Sequence, residues 1–248
     1  MGPTDPAAFD QPPGEPVFPT LTDDALYDFV LDFGCGCGRI ARRLALAAAP
    51  MPRRYVGCDL HAGMIAWDNE NLAPRLPGFT FVHSDVFNPG FNPDPSLPRT
   101  APFPAEDGAV SLLLALSVFT HLTQEQAPSY LDEVRRVLRP DGVLLASFFL
   151  FEKAHFPMMQ DFQNALYIND SDPTNAVIFD RQWLLAQLDA RELRIRTVRP
   201  PSLRGYHWEL EIAPGRGSVE LGVDEAPFGH MPPPVCSKPA YMIGRTGR

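Results

Sequence analysis

Cysteine is scarce in this 248-residue chain: there are four, and none stands in a C-x-x-C pair or a His/Cys array of zinc spacing. No metal site is expected from that pattern, and free buried thiols suit a reducing compartment. Basic charge is also short, with 21 Lys and Arg against 30 Asp and Glu and a net charge of −9. A nucleic-acid backbone is therefore not an expected partner. Arginines do gather at Arg135, Arg136 and Arg139 and again from Arg191 to Arg204, but they read as solvated helix and strand faces. No apolar run approaches the roughly 20 residues that span a bilayer, so no membrane partner is expected. The start is proline-rich and acidic, without the basic and apolar stretches of a secretory signal, which makes the expected location cytoplasmic. The sequence carries no internal repeat and no marker of oligomeric state.

Proline is plentiful and punctuates the chain. Residues 1–29 read as a proline-rich arm, with a brief helix near Thr22–Phe29. Residues 30–213 form one α/β domain, long enough for a buried core. Within it, 151–179 has little periodicity and reads as an insertion, and 214–248 reads as a tail. Asn88–Pro104 is dense in proline and reads as loop. Helices are expected at Ile40–Ala49, Ala62–Leu72 and, mostly, Thr123–Leu138. In the last, Thr123 and Gln126 could form a capping box, and a start near Pro128 avoids an interior proline. Leu131, Val134 and Leu138 then form its buried stripe. Asp180 is placed to cap a helix that buries Trp183, Leu184 and Leu188.

The strongest local signal is Val30-Leu31-Asp32-Phe33-Gly34-Cys35-Gly36-Cys37-Gly38-Arg39. It reads as a buried strand closed by an acid, then alternating glycines, then a helix start. Glycines alternate where a backbone turns sharply and a ligand comes close, and the helix offers its positive end to that ligand. A second strand, Arg53–Asp59, ends in an acid about 20 residues past the loop, where a carboxylate can accept ribose hydroxyls. Further strands are expected at Phe79–Val86, Ala109–Leu116 and Val143–Phe149. Leu193–Val198 and His207–Ile212 alternate apolar and polar around Gly205 and read as a closing hairpin.

Taken together, these segments resemble the class I S-adenosylmethionine-dependent methyltransferases from Val30 to Leu150, with a weaker continuation to Ala213. The glycine loop is similar to that family's first motif, and Asp59 and Asp85 to its acids after strands two and three. Leu114–Leu122 resembles the motif after strand four, and Glu133–Gly142 the helix and turn before strand five. A nicotinamide-type loop would prefer glycine three residues after Gly36, where Arg39 stands. The resemblance implies a Rossmann-like, doubly wound, seven-stranded α/β sheet with an antiparallel last strand. It implies S-adenosylmethionine as methyl donor, with S-adenosylhomocysteine as product.

By the same resemblance, Gly34, Cys35, Gly36 and Gly38 cradle the methionine part of the donor, and Asp32 orients it. Asp59 with Leu60 holds the ribose, and Met64 packs on the adenine. Asp85 with Val86 reads the adenine, and Leu116 and Ser117 line the donor beneath its sulfur. The candidate bases are His121, after strand four, and His155, in the insertion. His121 has a rival structural role, holding its loop. Phe149, Phe151, Phe156, Met158, Met159, Tyr167 and Tyr206, with His155, are expected to build an aromatic and methionine-rich acceptor pocket. The motif after strand four lacks the Asn/Asp-Pro-Pro-Tyr-type signature for amino groups on bases, so a small-molecule acceptor is expected, with a hydroxyl oxygen preferred on the available histidines. A non-catalytic donor-binding scaffold or regulatory partner, an N- or C-methyltransferase, an aminopropyl transferase and a cyclase on the same fold remain alternatives.

Overall fold

A computed structural model of the chain describes residues 15–47, 50–169, 171–199 and 207–217. The strands are β1 (Phe29–Phe33), β2 (Arg54–Asp59), β3 (Phe79–His83), β4 (Val110–Ala115), β5 (Leu138–Phe151), β6 (Ala165–Tyr167), β7 (Val177–Asp180), β8 (Leu193–Arg199) and β9 (Trp208–Pro214). The α-helices are α1 (Arg39–Leu46), α2 (Ala62–Asn71), α3 (Gln126–Val137) and α4 (Arg181–Asp189). Strands β3, β2, β1, β4 and β5 pair in that order, all parallel. β9 then pairs antiparallel with Leu144–Phe148 of β5 and with β8. The expected antiparallel closing strand is thus β9, and residues 200–206, which hold Gly205 and Tyr206, lie outside the described residues.

Among the described residues the sheet has nine strands, two more than the sequence reading expects. The extra pair comes from the segment 151–179. β5 runs on past the body of the sheet, so Phe149–Phe151 pairs in parallel with β7, and β6 pairs antiparallel with β7. β6 is three residues long and β7 four, too short for a period-two pattern to declare itself.

Alternation along the central strands splits the core into two layers. Phe29, Leu31 and Phe33 of β1 join Leu113 and Ala115 of β4 and the buried stripe of α3 in one cluster. Val30 joins Leu112, Leu114, Tyr55 and the α1 residues Ile40, Ala41 and Leu44 in the other. The arm's described part adds Val17 and Leu21 to this second layer. Local signals behave as their chemistry requires. Gln126 Oε1 accepts the Thr123 N–H at 3.0 Å, one half of a capping box. Asp180 accepts the Trp183 N–H at 2.9 Å, and α4 buries Leu184 and Leu188 while Trp183 stays half-buried.

Candidate active site

Because the chain runs outward from β1 to β3 and returns to β4 beside β1, the sheet order reverses between β1 and β4. The loops leaving the carboxyl ends of the neighbouring strands diverge at such a point and leave a crevice. A cavity of about 250 Å³ lies there, lined by Gly34 after β1, Leu60 after β2, Ser84 after β3 and Ser117 after β4. Asp59, His61, Met64, Val86, Val118 and His121 also line it.

The glycine loop takes the left-handed backbone that its composition anticipates. Gly34, Gly36 and Gly38 have φ of +80°, +57° and +64°. A Cβ on Gly34 would stand 2.4 Å from Cγ2 of Val118, so the position excludes alanine on conformation and on space. The Asp59 carboxylate is gripped from both sides: Oδ2 accepts the Gly36 N–H at 2.9 Å and Oδ1 the His61 N–H at 2.8 Å. Each oxygen keeps a further lone pair, so the group is held in one orientation yet can still accept from ligand hydroxyls. His61 in turn caps α2, its Nδ1 accepting the Met64 N–H at 3.3 Å, and this sets Met64 beside the loop.

Ser117 has φ of 58°, a strained value for a residue with a Cβ. The buried Ser147 holds it there, accepting the Ser117 N–H at 2.7 Å. His121 lies in a 3-10 turn, Phe119–His121, and its Nδ1 is 2.8 Å from the carbonyl oxygen of Thr174. A carbonyl only accepts, so Nδ1 carries the proton and Nε2 of the neutral ring is the open acceptor.

Other expected site residues sit behind or beside the cavity rather than in its lining. Asp32 is buried and accepts the Tyr55 hydroxyl at 2.5 Å. Burial pushes its carboxyl up to about 6, against the opposing pull of that hydrogen bond. Cys35 is buried over β2, where a Cβ on Gly57 would meet its sulfur at 2.9 Å. Burial and the neighbouring Asp32 push this thiol well up, so it is inert. Gly36 and Gly38 shape the loop without lining the cavity, and Leu116 packs half-buried against the α1 layer. Asp85 is exposed and accepts from Asn92 Nδ2 at 3.0 Å, while its neighbours Ser84 and Val86 line the cavity. His155 is exposed in a 3-10 turn, Lys153–His155, outside the lining.

The aromatic and methionine residues expected from the insertion do not line this cavity. None of Phe149, Phe151, Phe156, Met158, Met159 or Tyr167 lines the cavity. Phe87, Asn88, Phe91, Leu122, Gln126 and Tyr130 do. Asn88 organises this loop: its Oδ1 accepts the Gly90 and Phe91 N–H groups at 2.9 and 3.0 Å, and its Nδ2 donates to Thr174 Oγ1 at 3.1 Å. Two aromatics flanking an asparagine in a proline-rich loop are the one sequence sign that could have marked this wall.

Residues 30–142 match the family model described as a methyltransferase domain. The chain carries a class I S-adenosylmethionine-dependent methyltransferase domain. Solved structures repeat the fold of this methyltransferase. A methyltransferase from Methanosarcina mazei matches at 16% identity and a TM-score of 0.54, over 80% of this chain and 98% of that one. The Burkholderia thailandensis 1,6-didemethyltoxoflavin-N1-methyltransferase, solved with its acceptor and S-adenosylhomocysteine, matches at 20% identity and a TM-score of 0.52, over 76% and 71%. A [4+2]-cyclase, SpnF, matches at 16% identity and a TM-score of 0.52, over 76% of each chain. Among the described residues no helix is long and apolar enough to cross a membrane, and no cluster of His, Cys, Asp and Glu could hold a metal ion.

Proposed function

We propose that this methyltransferase acts on a small molecule at a hydroxyl oxygen, with the cavity at the β1–β4 reversal holding donor and acceptor. The observation that carries the reading is His121, which lines the cavity with its Nδ1 committed to the Thr174 carbonyl at 2.8 Å. That bond leaves Nε2 to take a hydroxyl proton, which a nitrogen acceptor would less often require.

The cavity fits the donor's parts. Asp59, with both oxygens steadied by backbone N–H groups, meets the ribose. Met64 and Val86 offer apolar surface to the adenine, and Gly34 lets the backbone approach the methionine part. The bound donor supplies a methyl group on a sulfonium, already activated for in-line displacement. The chain's own work is to hold the acceptor in line, exclude water and receive the proton. Ser117, fixed at its strained φ by Ser147, and Val118, pressed against Gly34, set the floor of that arrangement. Phe87, Phe91 and Tyr130 suit a flat acceptor. Burial pushes the Tyr130 phenol up to about 12, so it serves as wall and not as base.

The test is methyl transfer from labelled S-adenosylmethionine to matched phenols, anilines and thiols, with His121→Asn beside the wild type. Label in the phenols, and a kcat loss of about 10²–10⁴-fold in the variant at unchanged S-adenosylhomocysteine affinity, is the expected result. Label in the anilines alone, or a variant as fast as the wild type, overturns the oxygen assignment.

A further inference from the structure

A second cavity, of about 550 Å³, lies beside the first. The two share Phe87 and Gln126 as walls. Gln126 is locked in place, because Oε1 accepts from Thr123 and Nε2 donates to the Arg99 carbonyl at 2.8 Å. Phe87 carries the Arg99 guanidinium 4.0 Å from its ring centroid. Thr174 lines the second cavity, and its carbonyl orients His121 in the first. The residue that sets the tautomer of the proposed base is therefore also part of the neighbouring chamber.

Among the described residues, the charged lining of the second cavity is one cation, Arg99, and one anion, Glu125. Both are exposed residues on the rim of the same cavity, and neither is in an ion pair among the described residues. Thr100, Thr123 and Ser129 add hydroxyl groups to that lining. We infer that this chamber seats the head group of the acceptor, and that the head is a zwitterion of the amino-acid type, its carboxylate on Arg99 and its ammonium on Glu125. The inference rests on the methyltransferase reading of the first cavity and names its substrate class.

The charges select this class over the alternatives. A simple anion would meet Arg99 but face Glu125, and a simple cation would do the reverse. A ligand that carries both signs offers a partner to each. The guanidinium is a planar fork suited to a carboxylate, and stacking on Phe87 restricts it before the ligand arrives, so less freedom is lost on binding. With the head beyond Phe87, the body of the acceptor lies across the shared wall, and its hydroxyl faces His121.

The experiment uses the full chain, S-adenosylmethionine and a set of hydroxylated amino acids from serine to 3,4-dihydroxyphenylalanine. Each is paired with its carboxamide and its N-acetyl form, and S-adenosylhomocysteine release is the readout. At least one free amino acid should be methylated with a KM about tenfold or more below that of either derivative. Arg99→Gln should erase the difference between acid and amide, and Glu125→Gln the difference between amine and N-acetyl form. Both variants should bind S-adenosylhomocysteine as the wild type does. Equal KM across each trio, variants that keep both preferences, or no turnover of any free amino acid by protein that binds S-adenosylhomocysteine would each overturn the inference and leave the donor site standing. Failure of the wild type to bind S-adenosylhomocysteine overturns the reading beneath it as well.

Discussion

Replacing Asp68 by asparagine should flatten the pH dependence of this protein's stability. Asp68 lies on α2, fully buried, and neither of its carboxylate oxygens has a hydrogen-bond partner among the described residues. It is tucked against the glycine loop, where a Cβ on Gly38 would stand 3.1 Å from its Oδ1. Burial, and then the nearby charges of Asp59 and Asp32, push its carboxyl from the ordinary 3.8 up to about 7. In the unfolded chain the group ionises near 4. Between those values the folded state keeps a proton that the unfolded state has released. Stability therefore falls as pH rises through this window and levels off above about 7. One pKa unit corresponds to about 1.4 kcal/mol, so the whole effect is at most about 4 kcal/mol. For a domain of this size 1 kcal/mol moves Tm by about 2–4 °C. Thermal melts of wild type and Asp68→Asn at pH 5 and pH 8 should thus separate by several degrees in their pH response, the wild type losing more. Asp32, raised to about 6, contributes the same sign in both proteins, so the variant keeps a smaller residual slope. Parallel curves would refute the reasoning and mean that Asp68 is ionised in the folded protein.

Two further substitutions probe the loop and its scaffold. Gly34→Ala forces a side chain to φ +80° and into Val118; the backbone alone costs about 1–2 kcal/mol, so calorimetry should find weakened S-adenosylhomocysteine binding together with a lower Tm. Asp180→Ala removes the cap on Trp183 N–H and the acceptor of the Lys153 N–H, each at 2.9 Å; urea unfolding should show a loss of about 1–2 kcal/mol with donor binding intact.

The central sheet and the glycine loop were legible because each rests on local pattern. The alternation of Phe29, Leu31 and Phe33 against Val30 assigns faces without any knowledge of partners, and the left-handed glycines follow from the absence of a Cβ. The Asp180 cap was legible for the same reason. The β6–β7 pair was not, because strands of three and four residues are created by the overrun of β5 and not by their own pattern. The sequence points to 151–179 for an acceptor wall, whereas the cavity at the strand reversal is lined by Phe87 and Phe91, since the loop that carries them is folded by a bond from Asn88 to Thr174, 86 residues away. The bond that Asp85 Oδ1 accepts from Asn92 of that loop was likewise not legible from local pattern. Nothing in the spacing of α2 foretold that Asp68 would be buried, with no partner for its carboxylate among the described residues.

Donor binding at the carboxyl end of β2 is open to a direct measurement. Titration calorimetry of S-adenosylhomocysteine against the wild type and Asp59→Asn tests it. The wild type should bind, and the variant, which loses a charged acceptor steadied by Gly36 and His61, should bind about 10- to 100-fold more weakly. A folded wild type that takes up no S-adenosylhomocysteine, or a variant that binds it equally well, would contradict the assignment of this cavity as the donor site.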